Sequence, residues 1–513
     1  MIALLVGVLL QGEKPAFSFS DATAERGLRP ALDGIRGHAA GWGDVDGDGW
    51  PDLYVATFHN EGSKANQFFR NRNGRFELDG QDALRISTRA TASLFADLDG
   101  DGDLDLYVTS MPAEGIVPCA LFRNDGGGTF VDISKGNGAC PADLAGRSAT
   151  AFDADGDGLL DLAVAEDPFG YGGRKSSRLF LNKGGLRFEP APDFPANIPA
   201  LGVAAGDVDN DGRPDLFLAG RNGGNRLLIN QGGGRFAAGP SEVFAWTFKE
   251  GDDSTAGACF GDVNRDGLLD LVIGHHFKRP WMNPVAVRLY LNRGERRFED
   301  VTEAVGLPAL PMKAPHVELR DFDNDGWPDL YVSIVKFADG KPVPLIFRNL
   351  GVREGLPRFS TEALGVNDFP TAEDRAIGQA AKLFDKANRE RKIFYAAPGP
   401  SADFDRDGRL DLFLASWWME TPSLLLRNET AGGNWLEVGG LPVGARVQVR
   451  KAGERLASAE VVAGSGYASS PTSAAHLGLG KEEVVDLEIL LPHGKGTILR
   501  KDLKANQRLE VKP

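Results

Sequence analysis

The chain has 513 residues with 57 basic and 72 acidic side chains, a formal net charge of −15. With that sign and no basic run, the composition excludes a nucleic-acid binder. Three cysteines and 65 glycines describe a turn-rich chain that is not a disulfide framework.

Residues 1–14 open with MIALLVGVLL and continue QGEK. The apolar run is shorter than the roughly 20 residues that span a bilayer and fits the h-region of a signal peptide; a buried first strand is the alternative. Export would make the protein secreted, periplasmic or cell-surface, with no transmembrane segment in the mature chain.

A nine-residue segment then recurs seven times: DVDGDGWPD (44–52), DLDGDGDLD (97–105), DADGDGLLD (153–161), DVDNDGRPD (207–215), DVNRDGLLD (262–270), DFDNDGWPD (321–329) and DFDRDGRLD (403–411). Oxygen-bearing side chains hold the first, third, fifth and ninth places, and glycine the sixth. Ca²⁺ takes six to eight oxygens from alternate loop residues around such a glycine turn. An EF-hand is excluded, because Asp closes the segment at its ninth place and an apolar strand follows at once.

The ligands expected are Asp44, Asp46, Asp48 and Asp52 with the carbonyl of Trp50; Asp97, Asp99, Asp101 and Asp105 with that of Asp103; and Asp153, Asp155, Asp157 and Asp161 with that of Leu159. Next come Asp207, Asp209, Asp211 and Asp215 with Arg213, then Asp262, Asn264, Asp266 and Asp270 with Leu268. The last two sets are Asp321, Asp323, Asp325 and Asp329 with Trp327, and Asp403, Asp405, Asp407 and Asp411 with Arg409. Two carboxylates about 4 Å apart at an effective dielectric of 20 repel by about 4 kcal/mol, so up to seven Ca²⁺ ions would relieve each loop and offset nearly all the net charge. Asn264 removes one charge and predicts weaker binding in its loop.

The period is near 55 residues until the longer last step. A small-residue strand precedes each loop, an apolar strand follows it, and after a variable segment comes a strand ending in Asn, such as FFRN (68–71) or LLRN (425–428). A glycine turn and a final strand complete four strands per period, the pattern of a β-propeller with seven blades. The seventh repeat lacks its fourth strand, and FSFSDATAERGL (17–28) resembles RFEDVTEAVGL (297–307). The N-terminal segment therefore closes the ring within a propeller domain of residues 15–431.

Residues 371–392 lengthen the sixth repeat and read as one helix, capped by Thr371 with Asp374 and apolar along Ile377, Ala380, Ala381 and Phe384. Cys119 and Cys140 can pair in an oxidising compartment, which spacing leaves open; Cys259 reads as a buried thiol.

The loop between the first and second strands defines one face, and the variable segments define the other. There stand His59, Tyr171, Arg174, Arg221, His275, His276, Arg279, Trp281, Trp417 and Trp418 as candidate ligand contacts. His38, Trp246, Phe248, Lys249 and His316 enter from the same side. Aromatics beside cations suit sugars, carboxylates or an acidic protein surface, although each aromatic can equally be packing.

The repeats resemble FG-GAP, or VCBS-type, repeats, the class that builds the integrin α propeller. NWLEV (434–438), GARVQV (444–449), GSGYASS (464–470), HLGLG (476–480) and LPHGK (491–495) make residues 432–513 similar to an ASPIC/UnbV domain, with Leu491 where that pattern has Trp. Together they resemble the cartilage acidic protein family and its bacterial relatives. The resemblance implies an all-β fold: a calcium-loop propeller with a small C-terminal β domain.

No GxSxG, HExxH or phosphate loop is present, so no catalytic residue is assigned. The expected function is a monomeric, secreted, calcium-binding recognition or adhesion protein for a glycan or an extracellular or envelope protein. The alternative is a polysaccharide-active enzyme, such as a lyase, using His, Arg or Lys of the variable face.

Overall fold

The computed structural model describes residues 17–512 apart from 60, 115, 118, 168–175, 196–197, 222–223, 247–253, 278, 361–369, 378 and 397. The leader expected at 1–14 lies outside the described residues. Each repeat is one antiparallel sheet read straight along the chain. The first sheet consists of Gly37–Gly43, Asp52–Thr57, Gln67–Arg72 and Arg75–Asp79, and the next five repeat that layout. The sixth gains Ile393–Tyr395 against its long second strand, Asp329–Ala338.

The seventh sheet crosses the termini. Phe19–Asp21 pairs with Leu424–Asn428, Phe19 opposite Asn428 and Asp21 opposite Leu426, and supplies the missing fourth strand. All-β architecture follows: among the described residues seven sheets share the four-stranded plan, and two of them carry a fifth strand. The innermost strands are small-residue strands because they crowd at the axis: a Cβ on Gly202 would stand 1.9 Å from the Ala256 carbonyl oxygen of the next sheet.

The asparagine that ends each third strand stitches neighbouring sheets together. Its Nδ2 donates to the carbonyl of the second loop residue in the preceding sheet: Asn124 to Val45 (2.8 Å), Asn182 to Leu98 (2.6 Å), Asn230 to Ala154 (3.1 Å), Asn292 to Val208 (2.7 Å), Asn349 to Val263 (2.9 Å) and Asn428 to Phe322 (2.9 Å). Asn71 donates to Phe404 at 2.8 Å, which joins the first sheet to the last. The ring is closed by the same bond at every step.

The expected single helix is two, α1 (Ala372–Ala376) and α2 (Ala380–Arg389). Gln379 is extended between them, with φ −118° and ψ 125°, and is the N-cap of α2. The Thr371–Asp374 capping box is present. The buried face of α2 is Leu383, Phe384 and Ala387, and Ile377 is only half-buried. Phe384 stacks on Tyr395 and meets Trp281 and Trp418, so α2 docks on the variable-segment side.

Residues 434–510 form two sheets around their own core, which includes Leu436, Val447, Leu477, Leu487 and Ile489. The domain rests on the loop face, and its segment 461–470 runs into the axis. Ala463 O accepts from Ala151 N (2.9 Å) and Thr150 Oγ1 (2.8 Å), Gly466 N donates to Ala258 O (3.0 Å), and Ala468 O accepts from Ala40 N (3.2 Å). Ser469–Ser470 then pairs in parallel with Ala40 and Gly41. Glycine is required where the backbones touch: a Cβ on Gly257 would lie 2.7 Å from the Gly466 carbonyl carbon. Cys119 and Cys140 are disulfide-bonded. Among the described residues no helix is long and apolar enough to cross a membrane.

Candidate metal loops and the opposite face

Every loop folds by the same local bonds. The sixth-place glycines all have positive φ, from +84° at Gly49 to +98° at Gly158, a region that costs an L-residue but not glycine. That turn lets each glycine N–H donate to the first Asp, as Gly49 does to Asp44 (2.8 Å) and Gly326 to Asp321 (2.6 Å). The seventh-place N–H donates to the fifth Asp, as from Leu159 to Asp157 (2.8 Å). The ninth Asp spans two elements: Asp161 accepts from Ala154 N (2.7 Å) and from Asn182 N (2.7 Å).

These bonds aim carboxylates at one point. Ligand oxygens lie within 4.8 Å of one another in the sets Asp44–Asp46–Asp48, Asp97–Asp99–Asp101, Asp153–Asp155–Asp161, Asp207–Asp209–Asp215 and Asp321–Asp323–Asp325. Burial pushes the ninth Asp up to about 7 at Asp52, Asp105 and Asp161, and to about 8 at Asp215. Asp270 and Asp411, buried, and Asp329, buried beside Asp323 and Asp321, are raised well above the ordinary carboxylate range. Crowded, desolvated carboxylates with all-oxygen donors fit a hard cation such as Ca²⁺.

Local cations share the charge in some loops. Arg72 lies 2.8 Å from Asp46, Arg348 3.0 Å from Asp323, and Arg427 2.6 Å from Asp405. In the fifth loop Asn264 turns its amide N–H to Asp266 at 2.9 Å.

The C-terminal domain meets these loops directly. Arg508 bonds Asp403 at 2.5 Å, Ser458 Oγ donates to Asp262 at 3.0 Å, Lys495 lies 3.4 Å from Asp153, and Arg446 donates to Asp207 O at 2.9 Å. Residues 441–513 carry 11 basic and 8 acidic side chains, so a mildly basic domain sits on the acidic face.

On the opposite face the axis ends at Tyr467. Its hydroxyl accepts from Arg147 Nη2 at 2.5 Å, and its backbone N–H donates to His316 Nδ1 at 3.1 Å. That bond leaves Nε2 as the protonated nitrogen of His316, donating to Glu318 Oε1 at 3.1 Å. His38 packs edge-on against Tyr467, Phe58 and Trp417. The Arg36 guanidinium lies 3.9 Å over the Trp417 ring. Lys313 Nζ sits 3.2 Å from His276 Nδ1, and burial first, then the Lys313 charge, holds His276 well below its ordinary pKa.

The expected ligand residues separate into three groups. His276, Arg221 and Trp417 surround this axial mouth, with Arg221 paired to Asp167 at 2.6 Å. His59 and Arg279 stand further out; His59 is half-buried and Arg279 exposed. His275 and Trp281 are packing residues: His275 is fully buried, stacked on Phe277 and bonded to Val285 O at 3.2 Å, and Trp281 is 1% exposed against α2. Trp418 is half-buried on the same helix. Tyr171 and Arg174, with Phe248 and Lys249, lie outside the described residues. Sequence reasoning missed Tyr467 and Arg147, because nothing local marks a segment 320 residues away as an axial partner.

Comparison with known proteins places these features. FG-GAP-like repeats match residues 44–108, 166–218, 207–273 and 281–332, and the ASPIC and UnbV pattern matches 441–513. Cartilage acidic protein 1 of Homo sapiens is 27% identical over 478 residues, covering 88% of this chain and 59% of that protein. That of Xenopus tropicalis is 27% identical over 481 residues, 88% of this chain and 60% of the relative. The chain thus spans about three-fifths of the length of these curated relatives. Among solved structures, an Agrocybe aegerita lectin recognising non-reducing terminal N-acetylglucosamine aligns with TM-score 0.38 at 18% identity, over 61% of this chain and 79% of its own. A rhamnogalacturonan lyase aligns with TM-score 0.38 at 12% identity, over 81% and 74%. Neither score supports a functional comparison. The chain thus carries FG-GAP-like repeats followed by an ASPIC and UnbV domain over residues 441–513.

Proposed function

We propose that this is a secreted, calcium-stabilised recognition protein whose propeller face opposite the loops binds a glycan or an extracellular or envelope protein. The observation that carries it is the axial mouth: Arg36 over Trp417, with His38, Phe58 and Tyr467 behind them. A cation above an indole beside further aromatics suits a sugar ring or a carboxylate. The C-terminal domain occupies part of the opposite face, and the Cys119–Cys140 bond suits an oxidising compartment.

The test is a binding screen against uronate-containing glycans and envelope proteins in millimolar calcium. Trp417→Ala should weaken the bound partner about tenfold, the scale of a cation–π contact. Unchanged affinity for every hit in Trp417→Ala and Arg36→Ala would remove the face from consideration. Chelation tests the metal: a site at a hundredfold excess of calcium over Kd stabilises the fold by roughly 2.7 kcal/mol, so removing calcium should lower Tm.

A lyase is the second reading, favoured by the pair His276 and Lys313, a neutral imidazole 3.2 Å from an ammonium. A base and a cation within reach of one sugar are what such an elimination needs. Unsaturated product from a uronate polysaccharide, lost in His276→Ala, would establish it over simple binding.

A further inference from the structure

We infer that the C-terminal domain is a gate over part of the metal complement: loops 321–329 and 403–411 release their ions only when the domain lifts, whereas loops 44–52 and 97–105 exchange freely. The inference holds only if the loops bind calcium as proposed above.

At 321–329 the tail brackets the loop with backbone. Gly433 N donates to Asp323 O (2.9 Å) and Gly480 N to Asn324 O (2.8 Å), while His476 Nε2 lies 2.8 Å from Asn324 Oδ1. The approach is so close that a Cβ on Gly478 would stand 1.9 Å from Asp321 Oδ2. Asp321 and Asp323 are 7% and 6% exposed, so water has little access to the ligand oxygens.

At 403–411 the indole of Trp435 covers the glycine turn, 1.9 Å from where a Cβ of Gly408 would be, and Arg508 closes over Asp403. Among the described residues no such cover stands over the first two loops. Nothing lies within 4 Å of a Cβ on Gly102, and the neighbour of Gly49 is Arg406, from another loop of the ring. Asp48 and Asp101 are exposed. The three loops between are touched at their edges, but Asp157, Asp211 and Asp266 remain exposed.

The gate is stiff because the domain is pinned through the axis. Lifting it far enough to uncover Asp321 strains the bonds that Ala463, Gly466, Tyr467 and Ala468 make to four different sheets. Ion release from the covered loops is thereby tied to a sub-global opening, whereas release from exposed loops needs only local fluctuation.

Two loops carry their own reporters, Trp50 and Trp327, at the seventh place. Terbium, substituted for calcium and excited through tryptophan, is challenged with excess EDTA in a stopped-flow instrument. The expected decay has two phases, the slower by at least about tenfold; Trp50→Phe removes amplitude from the fast phase and Trp327→Phe from the slow one. Arg508→Gln, which loosens the cover, should accelerate the slow phase and leave the fast phase alone. A single phase, the opposite assignment of the tryptophans, or a slow phase indifferent to Arg508→Gln would overturn the gate while leaving the metal sites standing. Absence of sensitised emission from any form would overturn the metal reading and the gate with it.

Discussion

Asn230 shows how much one side chain can carry. Its Nδ2 serves Ala154 O and Pro214 O, both at 3.1 Å, and its Oδ1 accepts from Gly232 N at 2.8 Å. Replacing it with Ala strands two buried carbonyls and an N–H, which should cost roughly 2–4 kcal/mol, read as a lower urea midpoint. His38 makes a pH-dependent contribution of a different kind. Burial first, then the charge of Arg147, holds its pKa down to about 3, although a bond to Ala90 O opposes this. The unfolded chain takes up a proton near 6.5 while the native state refuses it until about 3, so stability present above 6.5 is lost as pH falls. At pH 5 the loss is about 2 kcal/mol. His38→Gln should therefore show a smaller drop in urea midpoint between pH 7.5 and pH 5 than the parent chain.

At the level of elements, the loops separate two roles that one glycine column plays. Gly102 and Gly408 share positive φ, +97° and +86°, but only Gly408 is overlaid by Trp435. Gly102→Ala should cost about 1 kcal/mol of backbone strain. Gly408→Ala should cost about 1–3 kcal/mol more from overpacking and make residues 434–512 easier to cleave by a protease, which Gly102→Ala should not do. The sequence made the loops, the four-strand period and the closing strand at 17–28 legible because each is local or repeated. The Asn at each strand end was visible as a pattern, yet its partner in the preceding sheet becomes definable only once the ring is closed. GSGYASS carries neither helical nor strand periodicity, so its passage into the axis had no local signal. Likewise Trp281 and His275 look like surface ligands beside Arg279; only the docking of α2 and the stacking on Phe277 show them to be core.

For the whole molecule, the axial hydrogen bonds predict that propeller and tail unfold together rather than as scaffold and appendage. Removing residues 432–513 would uncover the loop face and break the axial bonds of Ala463, Gly466, Tyr467 and Ala468. At roughly 0.5–1.5 kcal/mol for each of these five net hydrogen bonds, the truncated chain should lose about 2.5–7.5 kcal/mol. The measurement is Tm with hydrogen exchange on the inner strands Gly37–Gly43, Gly146–Phe152 and Thr255–Gly261. An unchanged Tm would mean the tail is an independent module.

The pairing of Phe19–Asp21 with Leu424–Asn428 also sets a timetable. Ser18 and Thr430, joined by a hydrogen bond, are 412 residues apart. At ordinary elongation rates the first strand waits roughly 20–80 s for its partner to be made, its edge available to any other chain meanwhile. The axial segment is synthesised later still, only after every sheet that grips it. Circular permutants that begin between sheets, with the native ends joined, would remove that wait and should aggregate less during expression.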